Sequence, residues 1–191
     1  MWLVWFFAIA AVVLFAWVIW IYNRLVRLQQ RARQAFSDID AQLKRRHDLV
    51  PALVETVKGY AAHESTTLEE VTSRRTVASE AAAGEASPAA RLGSENMLAG
   101  ALRKLFALAE SYPELKASER FGLLQTQLAE IEDHLQHARR YYNAVVRDMN
   151  TAIETFPDML VARPFGFHAL PFFELDSPLE RVAAEVRFDD A

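Results

Sequence analysis

The sequence predicts an all-α protein: an N-terminal transmembrane helix followed by an up-and-down four-helix bundle with long first and last helices. Three observations carry this. Met1 to Tyr22 contains no charged side chain, and every Lys, Arg, Asp and Glu lies beyond it. From Phe121 to Phe156 apolar residues recur at alternating steps of three and four, the period of a long helix with a narrow packing seam. A second such series, Leu25, Leu28, Ala32, Ala35, Ile39, Leu43, Val50, Leu53, Val57 and Tyr60, begins where the apolar segment ends.

The chain divides into an anchor (1–22), a helical bundle (23–160) and a tail, first aromatic and then acidic (161–191). Of its 191 residues none is cysteine, which excludes a disulfide framework, a thiolate metal site and a cysteine nucleophile. A net charge of -4 argues against a general nucleic-acid binder.

Twenty-two helical residues reach ~33 Å, enough for a hydrocarbon core of about 30 Å. Trp2 and Trp5 mark one end of the segment, Trp17, Trp20 and Tyr22 the other, as an interfacial aromatic belt does at both boundaries. A cleaved signal peptide needs a basic start, a shorter apolar stretch and a small-residue cleavage site; this segment has none of these. Arg24, Arg27, Arg31 and Arg33 follow with no acid before Asp38. The positive-inside rule then places the short N-terminus outside and the C-terminal domain in the cytoplasm, which for a bacterial chain means a single-pass protein of the inner membrane. The same arginines suit anionic headgroups.

The first bundle helix continues from the anchor, and Pro51 inside it predicts a kink near His47. Thr66 with Glu69, and Thr67 with Glu70, read as capping boxes for a second helix to about Ala83. Ala78 to Ala90, with Gly84 and Pro88, reads as a loose connection. A third helix runs from Arg91 to Ser111, with Leu98, Leu102, Leu105 and Ala109 on one side, and Pro113 breaks it. Ser118 caps the last helix and Pro157 ends it. Lengths of ~58, ~27, ~30 and ~57 Å return the chain to its starting height if the first turn lies near His63 rather than at Pro51. The tail then lies near the membrane, its Phe165, Phe167, Phe172 and Phe173 either sealing the open end of the bundle or touching the bilayer or a partner. Ser177-Pro178 starts a short helix.

The stretches Ile39-Asp40-Ala41-Gln42-Leu43-Lys44-Arg45-Arg46-His47-Asp48-Leu49-Val50-Pro51, Val57-Lys58-Gly59-Tyr60 with His63-Glu64, and Ala109-Glu110-Ser111-Tyr112-Pro113-Glu114-Leu115-Lys116-Ala117 occur in that order. Glu132, Arg139-Arg140-Tyr141-Tyr142-Asn143, Asn150 and Phe156-Pro157 follow. In these residues the chain resembles the LemA family, over roughly 22–165. Ala52 and Ser111 depart from the asparagines usual there, so an amide role does not carry over to those two places. The resemblance implies a membrane-anchored helical bundle. Relatives are linked to magnetosome formation and to envelope or signalling phenotypes, which are contexts rather than mechanisms.

Chemistry has few footholds. Glu130, His134 and His137 share one helix face, but they flank the apolar seam and no second set completes a di-metal bundle. His47-Asp48-Leu49-Val50-Pro51 resembles a sensor-kinase phospho-acceptor box with its proline one residue early, and no glycine-rich nucleotide loop accompanies it. No GxSxG occurs. No catalytic residue, metal or cofactor is therefore assigned. Asp40, Arg46, Asp48, Pro51, Glu110, Glu132, Arg139, Tyr142, Asn143 and Asn150 are read as a structural or interaction network, with Arg139 paired to a carboxylate of the first or third helix to fix register.

The reading is a non-enzymatic scaffold that self-associates or presents a cytoplasmic surface to a membrane or cytoplasmic protein partner. Leu25, Val26, Leu28, Phe36 and Ile39 exceed what one seam needs, which favours a homo-oligomer. The alternative is a signal-transducing module that relays a state through the first helix. A metal-dependent enzyme ranks below both.

Overall fold

One unbroken helix, α1 (Trp2–Lys58), carries the chain from the apolar segment to the far end of the molecule. It contains no glycine and one proline, and its many Ala, Leu, Arg and Gln residues are strong helix formers. Its 57 residues span ~85 Å at 1.5 Å per residue. The computed structural model describes residues 1–84 and 88–173. Part of the Ala78–Ala90 connection, the Ser177-Pro178 helix and the acidic end therefore fall outside the described residues. Within them all regular structure is helical: α2 (Ser65–Ala83), α3 (Pro88–Ala109), α4 (Pro113–Lys116), α5 (Glu119–Glu154) and α6 (Met159–Ala162) follow α1.

The element boundaries follow local chemistry, with some corrections. Ser118 caps α5, its Oγ accepting from the Phe121 amide at 3.5 Å. The capping boxes of α2 are not formed. The residue before its first turn is Glu64, no side-chain cap bond is made, and Thr66 and Thr67 lie inside the helix. Burial of Leu68 and Val71 sets where α2 lies, and Glu64 instead accepts a hydrogen bond from the Tyr112 hydroxyl at 3.2 Å. α3 starts at Pro88, a residue suited to the first helical position, and stops two residues before Ser111. The short α4 that follows inserts Leu115, fully buried, into the core. The α5 seam is buried from Phe121 to Ala152 apart from half-buried Ala138, and Phe156, beyond the helix, is exposed.

α1 and α5 are antiparallel partners over most of their lengths. At the end next to the uncharged segment Ile21 and Leu25 pack with Met149 and Ala152. In the middle Ala35, Ile39 and Leu43 meet Ile131, Leu135 and Tyr142. At the far end Val50, Leu53 and Val57 share a core with Leu124 and Leu128. α2 and α3 form a helical hairpin that joins only this far cluster, through Leu68, Val71, Leu98 and Leu105. In the half nearer the uncharged segment the chain after α5 takes their place. Val161, Ala162 and Phe167 complete the lower cluster, and Leu170 and Phe173 flank the middle one. The tail thus seals the end that the shorter helices leave open.

Candidate functional site

The apolar series of α1 skips from Leu43 to Val50, and the vacant seam position is Arg46. On α3 the series Leu98, Leu102, Leu105, Ala109 extends back one step to Glu95, the one acid of that helix. The two meet in the core. Arg46 Nη2 donates to Glu95 Oε2 at 2.7 Å and Nη1 to Glu132 Oε2 on α5 at 3.1 Å. His47 Nε2 lies 2.8 Å from Glu95 Oε1. Glu95 is 2% exposed. Burial acts to raise its pKa, but the His47 hydrogen bond and the Arg46 charge outweigh that and hold the carboxyl below its ordinary range. Three helices are locked at one level, because removing one member of a buried ionic set strands its partner's charge.

Arg139 is buried beside this network but is less well served. Its Nη1 is 3.9 Å from Glu132 Oε1, and its Nε, like Arg46 Nε and Gln42 Oε1, has no hydrogen-bond partner among the described residues. Burial lowers its pKa, partly offset by Glu132. The expected pairing of Arg139 with the first or third helix is corrected: Arg46 makes the interhelical bridge, and the carboxylate nearest Arg139 is on its own helix. The guanidinium instead lies over the Phe173 ring, 5.2 Å from the centroid.

Phe173 belongs to an extended segment laid along α5. Asn143 Nδ2 donates to the Phe173 carbonyl at 3.1 Å, and the Phe173 amide donates back to Asn143 Oδ1 at 2.8 Å. Asn150 repeats this with Leu170, at 3.0 and 2.8 Å. Tyr142 donates its hydroxyl to the Pro171 carbonyl at 3.0 Å, and burial raises its pKa. Asn143 and Asn150 are two helical turns apart on one face. Each offers the donor–acceptor pair that a neighbouring strand would supply.

The other positions singled out from the sequence scatter. Asp40 accepts from Arg91 Nη2 at 2.5 Å, and Arg91 also lies over the Phe36 ring. Asp48 and Glu110 are exposed and stand apart from the network. Pro51 leaves the His47 carbonyl without its helical donor, and Arg75 Nε supplies one at 2.9 Å. Trp2, Trp5, Trp17, Trp20 and Tyr22 are exposed along α1, with Arg27 also exposed. Arg24 pairs with buried Asp158. Tyr22 packs on Phe165 and Phe167, with centroids 5.1 and 5.8 Å away.

Glu130, His134 and His137 face solvent, and His137 Nε2 is 3.7 Å from Asp133. Among the described residues no group of three or more His, Asp or Glu side chains is placed to hold a metal ion. His47 is buried against Glu95, out of reach of a phosphoryl donor. Glu95, His47 and Asp158 are not reached as network members by sequence reasoning. For Glu95 and Arg46 the available signal was a polar residue standing on an otherwise apolar heptad series.

α1 is also, among the described residues, the one helix long and apolar enough to cross a membrane. The LemA family model matches residues 35–188. The chain is similar to the protein LemA of Metamycoplasma hominis, 31% identical over 160 residues, covering 84% of this chain and 71% of the relative. It is also similar to magnetosome protein MamQ of Magnetospirillum gryphiswaldense, 24% identical over 80% of this chain. Magnetosome protein MamQ 2 of Paramagnetospirillum magneticum is 25% identical over the same share. The chain spans 64% of the length of each of these two magnetosome relatives. A model match over most of the chain, with motif residues falling at the buried bridge and at the tail clamp, shows that this protein belongs to the LemA family.

Proposed function

We propose that the protein is a single-pass, membrane-anchored helical scaffold, with its N-terminus outside and its up-and-down bundle in the cytoplasm. There it self-associates or presents its surface to partner proteins. The observation that carries this is the unbroken α1, which joins the apolar segment to the tip of the molecule without a flexible link. A bundle mounted this way holds a fixed height and orientation over the bilayer. Its most polar interior, Arg46, His47 and Glu95, is closed to solvent, which fits register-setting better than turnover. The four basic residues after the anchor support the orientation. Membership of the LemA family and the magnetosome names of its relatives agree with a role in organising a membrane-bound structure.

The surplus of apolar residues on α1 does not support self-association. Leu25 and Ile39 are buried, and Val26, Leu28 and Phe36 pack within the chain's own clusters. Oligomer formation therefore has to come from surfaces still exposed, such as the anchor face of Phe6, Ile9, Val13 and Leu14. Crosslinking mass spectrometry in the native membrane, with a C-terminal reporter, tests the proposal. Crosslinks between copies or to one dominant partner, with the reporter inside, support it. A reporter outside overturns the orientation and every cytoplasmic partner with it.

A second reading, a signal relay through α1, is favoured by one contact: the His47 carbonyl freed by Pro51 is held by α2. A shift of α2 would be felt in α1 at that point.

A further inference from the structure

The chain after α5 returns to a place where a soluble bundle has no reason to put it. Val161, Ala162 and Phe167 cover Ile21, and Val18 packs against the same cluster. Both Val18 and Ile21 belong to the uncharged segment, and the first charge, Arg24, is only about 9 Å further along the helix axis than Val18. The interfacial layer of a bilayer is about 5–8 Å thick on each side of the hydrocarbon core. A segment seated against Val18 and Ile21 therefore sits at that depth whenever α1 spans the membrane.

The outward face of this segment matches the place. Phe156, Leu160 and Phe165 are 76%, 56% and 57% exposed, although they flank a turn that packs well on its other side. Phe165 also stacks on Tyr22, the last aromatic of the belt. Basic side chains accompany the patch in the chain: Arg27 and Arg31 are exposed on the turns of α1 that follow Ile21, Arg163 is exposed beside Phe165 in sequence, and Arg24 neutralises Asp158. Exposed Glu154 opposes them. Exposed apolar side chains together with arginines are the composition that partitions into an anionic interface.

We propose that residues 156–165 form a second membrane contact, a foot that inserts Phe156, Leu160 and Phe165 among the headgroups of the leaflet from which α1 emerges. This rests on α1 spanning the membrane, and it goes further: the bundle is gripped at two points, the anchor and the foot. Two contacts fix the rotation of the bundle about α1 as well as its height.

The natural chain has no cysteine, so single labels are unambiguous. The full-length protein is reconstituted in vesicles of phosphatidylcholine with phosphatidylglycerol, carrying a fluorophore at Leu160→Cys, Phe165→Cys, Leu14→Cys or Glu114→Cys. Nitroxide lipids labelled at the headgroup or deep in the acyl chain serve as quenchers. The expected result is several-fold stronger headgroup quenching at positions 160 and 165 than at 114, with position 14 quenched by the deep label. Quenching at 14 but not at 160 or 165 leaves the anchor standing and overturns the foot. If unlabelled Phe165→Cys forms a disulfide between copies under a mild added oxidant while the labelled variant is not quenched, the face belongs to a second copy and the foot is likewise overturned. No deep quenching at 14 removes the spanning helix, and the foot falls with it.

Discussion

Arg75 on α2 donates through Nε to the carbonyl oxygen of His47 on α1, at 2.9 Å. Pro51, four residues on, has no N–H to offer that carbonyl, so a neighbouring helix supplies what α1 lacks. An unsatisfied, partly buried carbonyl costs about 1–3 kcal/mol. Arg75→Ala should therefore lower stability by about 1–2 kcal/mol. In a Pro51→Ala background the backbone N–H returns, and the same Arg75→Ala change should cost markedly less. Thermal unfolding in detergent, run as a double-mutant cycle, reads the difference. Equal costs in both backgrounds would show that the contact is incidental. If the relay reading holds, Pro51→Ala also alters output while the fold survives.

Glu95 joins two α1 side chains at once, Arg46 and His47. Glu95→Ala leaves Arg46 buried with only Glu132, and the expected loss is about 3–5 kcal/mol, as for other broken buried ion pairs. Removing both charges together is a different experiment. Arg46→Met with Glu95→Leu should recover part of that loss, because the guanidinium and the carboxylate go together and, of the buried groups, only His47 Nε2 loses its partner. Denaturant midpoints of the single and double variants decide between a bridge that holds register and one that is dispensable.

The same carboxylate sets an acid limit. Its pKa in the folded protein lies below the ordinary value because of His47 and Arg46, despite burial. A carboxyl depressed on folding contributes stability that is full above its unfolded pKa, about 4.3, and that is lost as pH falls through the folded value. The groups facing it are Arg46 and His47 from α1, with Glu132 and Arg139 from α5 close by. Stability should thus fall on the acid side of pH 4.3 more steeply in the natural protein than in Glu95→Gln, which has no proton to take up. Parallel pH curves for the two proteins would remove Glu95 from the account.

What was legible in the sequence was whatever periodicity and charge encode directly. The α5 seam follows from spacing, the apolar first segment from its lack of charge, the Ser118 cap from residue type, and the continuity of α1 through Pro51 from comparing helix lengths. The capping boxes at Thr66 and Thr67 failed because burial of Leu68 and Val71 outweighs a cap worth about 1 kcal/mol. Arg46 was in view as a motif residue. Its partner Glu95 was not, because one acid on a short apolar helix looks like surface until the helix is placed. The partner of Asn143 is thirty residues away in a stretch without periodicity, so nothing local announces it.

Asn143 and Asn150 hold the extended tail with two hydrogen bonds each, and Phe173 in turn covers the guanidinium of Arg139. Asn150→Ala removes both bonds to Leu170. Two bonds at about 0.5–1.5 kcal/mol each make about 1–3 kcal/mol, so the segment around 168–173 should open about 5- to 140-fold more often, since 1.4 kcal/mol is a factor of ten. Asn143→Ala should do the same at Phe173 and should also expose Arg139, adding a loss of global stability that Asn150→Ala lacks. Hydrogen exchange separates the two: the Leu170 amide accelerates in the first variant, and the Phe173 amide together with α5 amides near Arg139 in the second. Unchanged exchange at both amides would mean that the asparagines follow the tail rather than hold it.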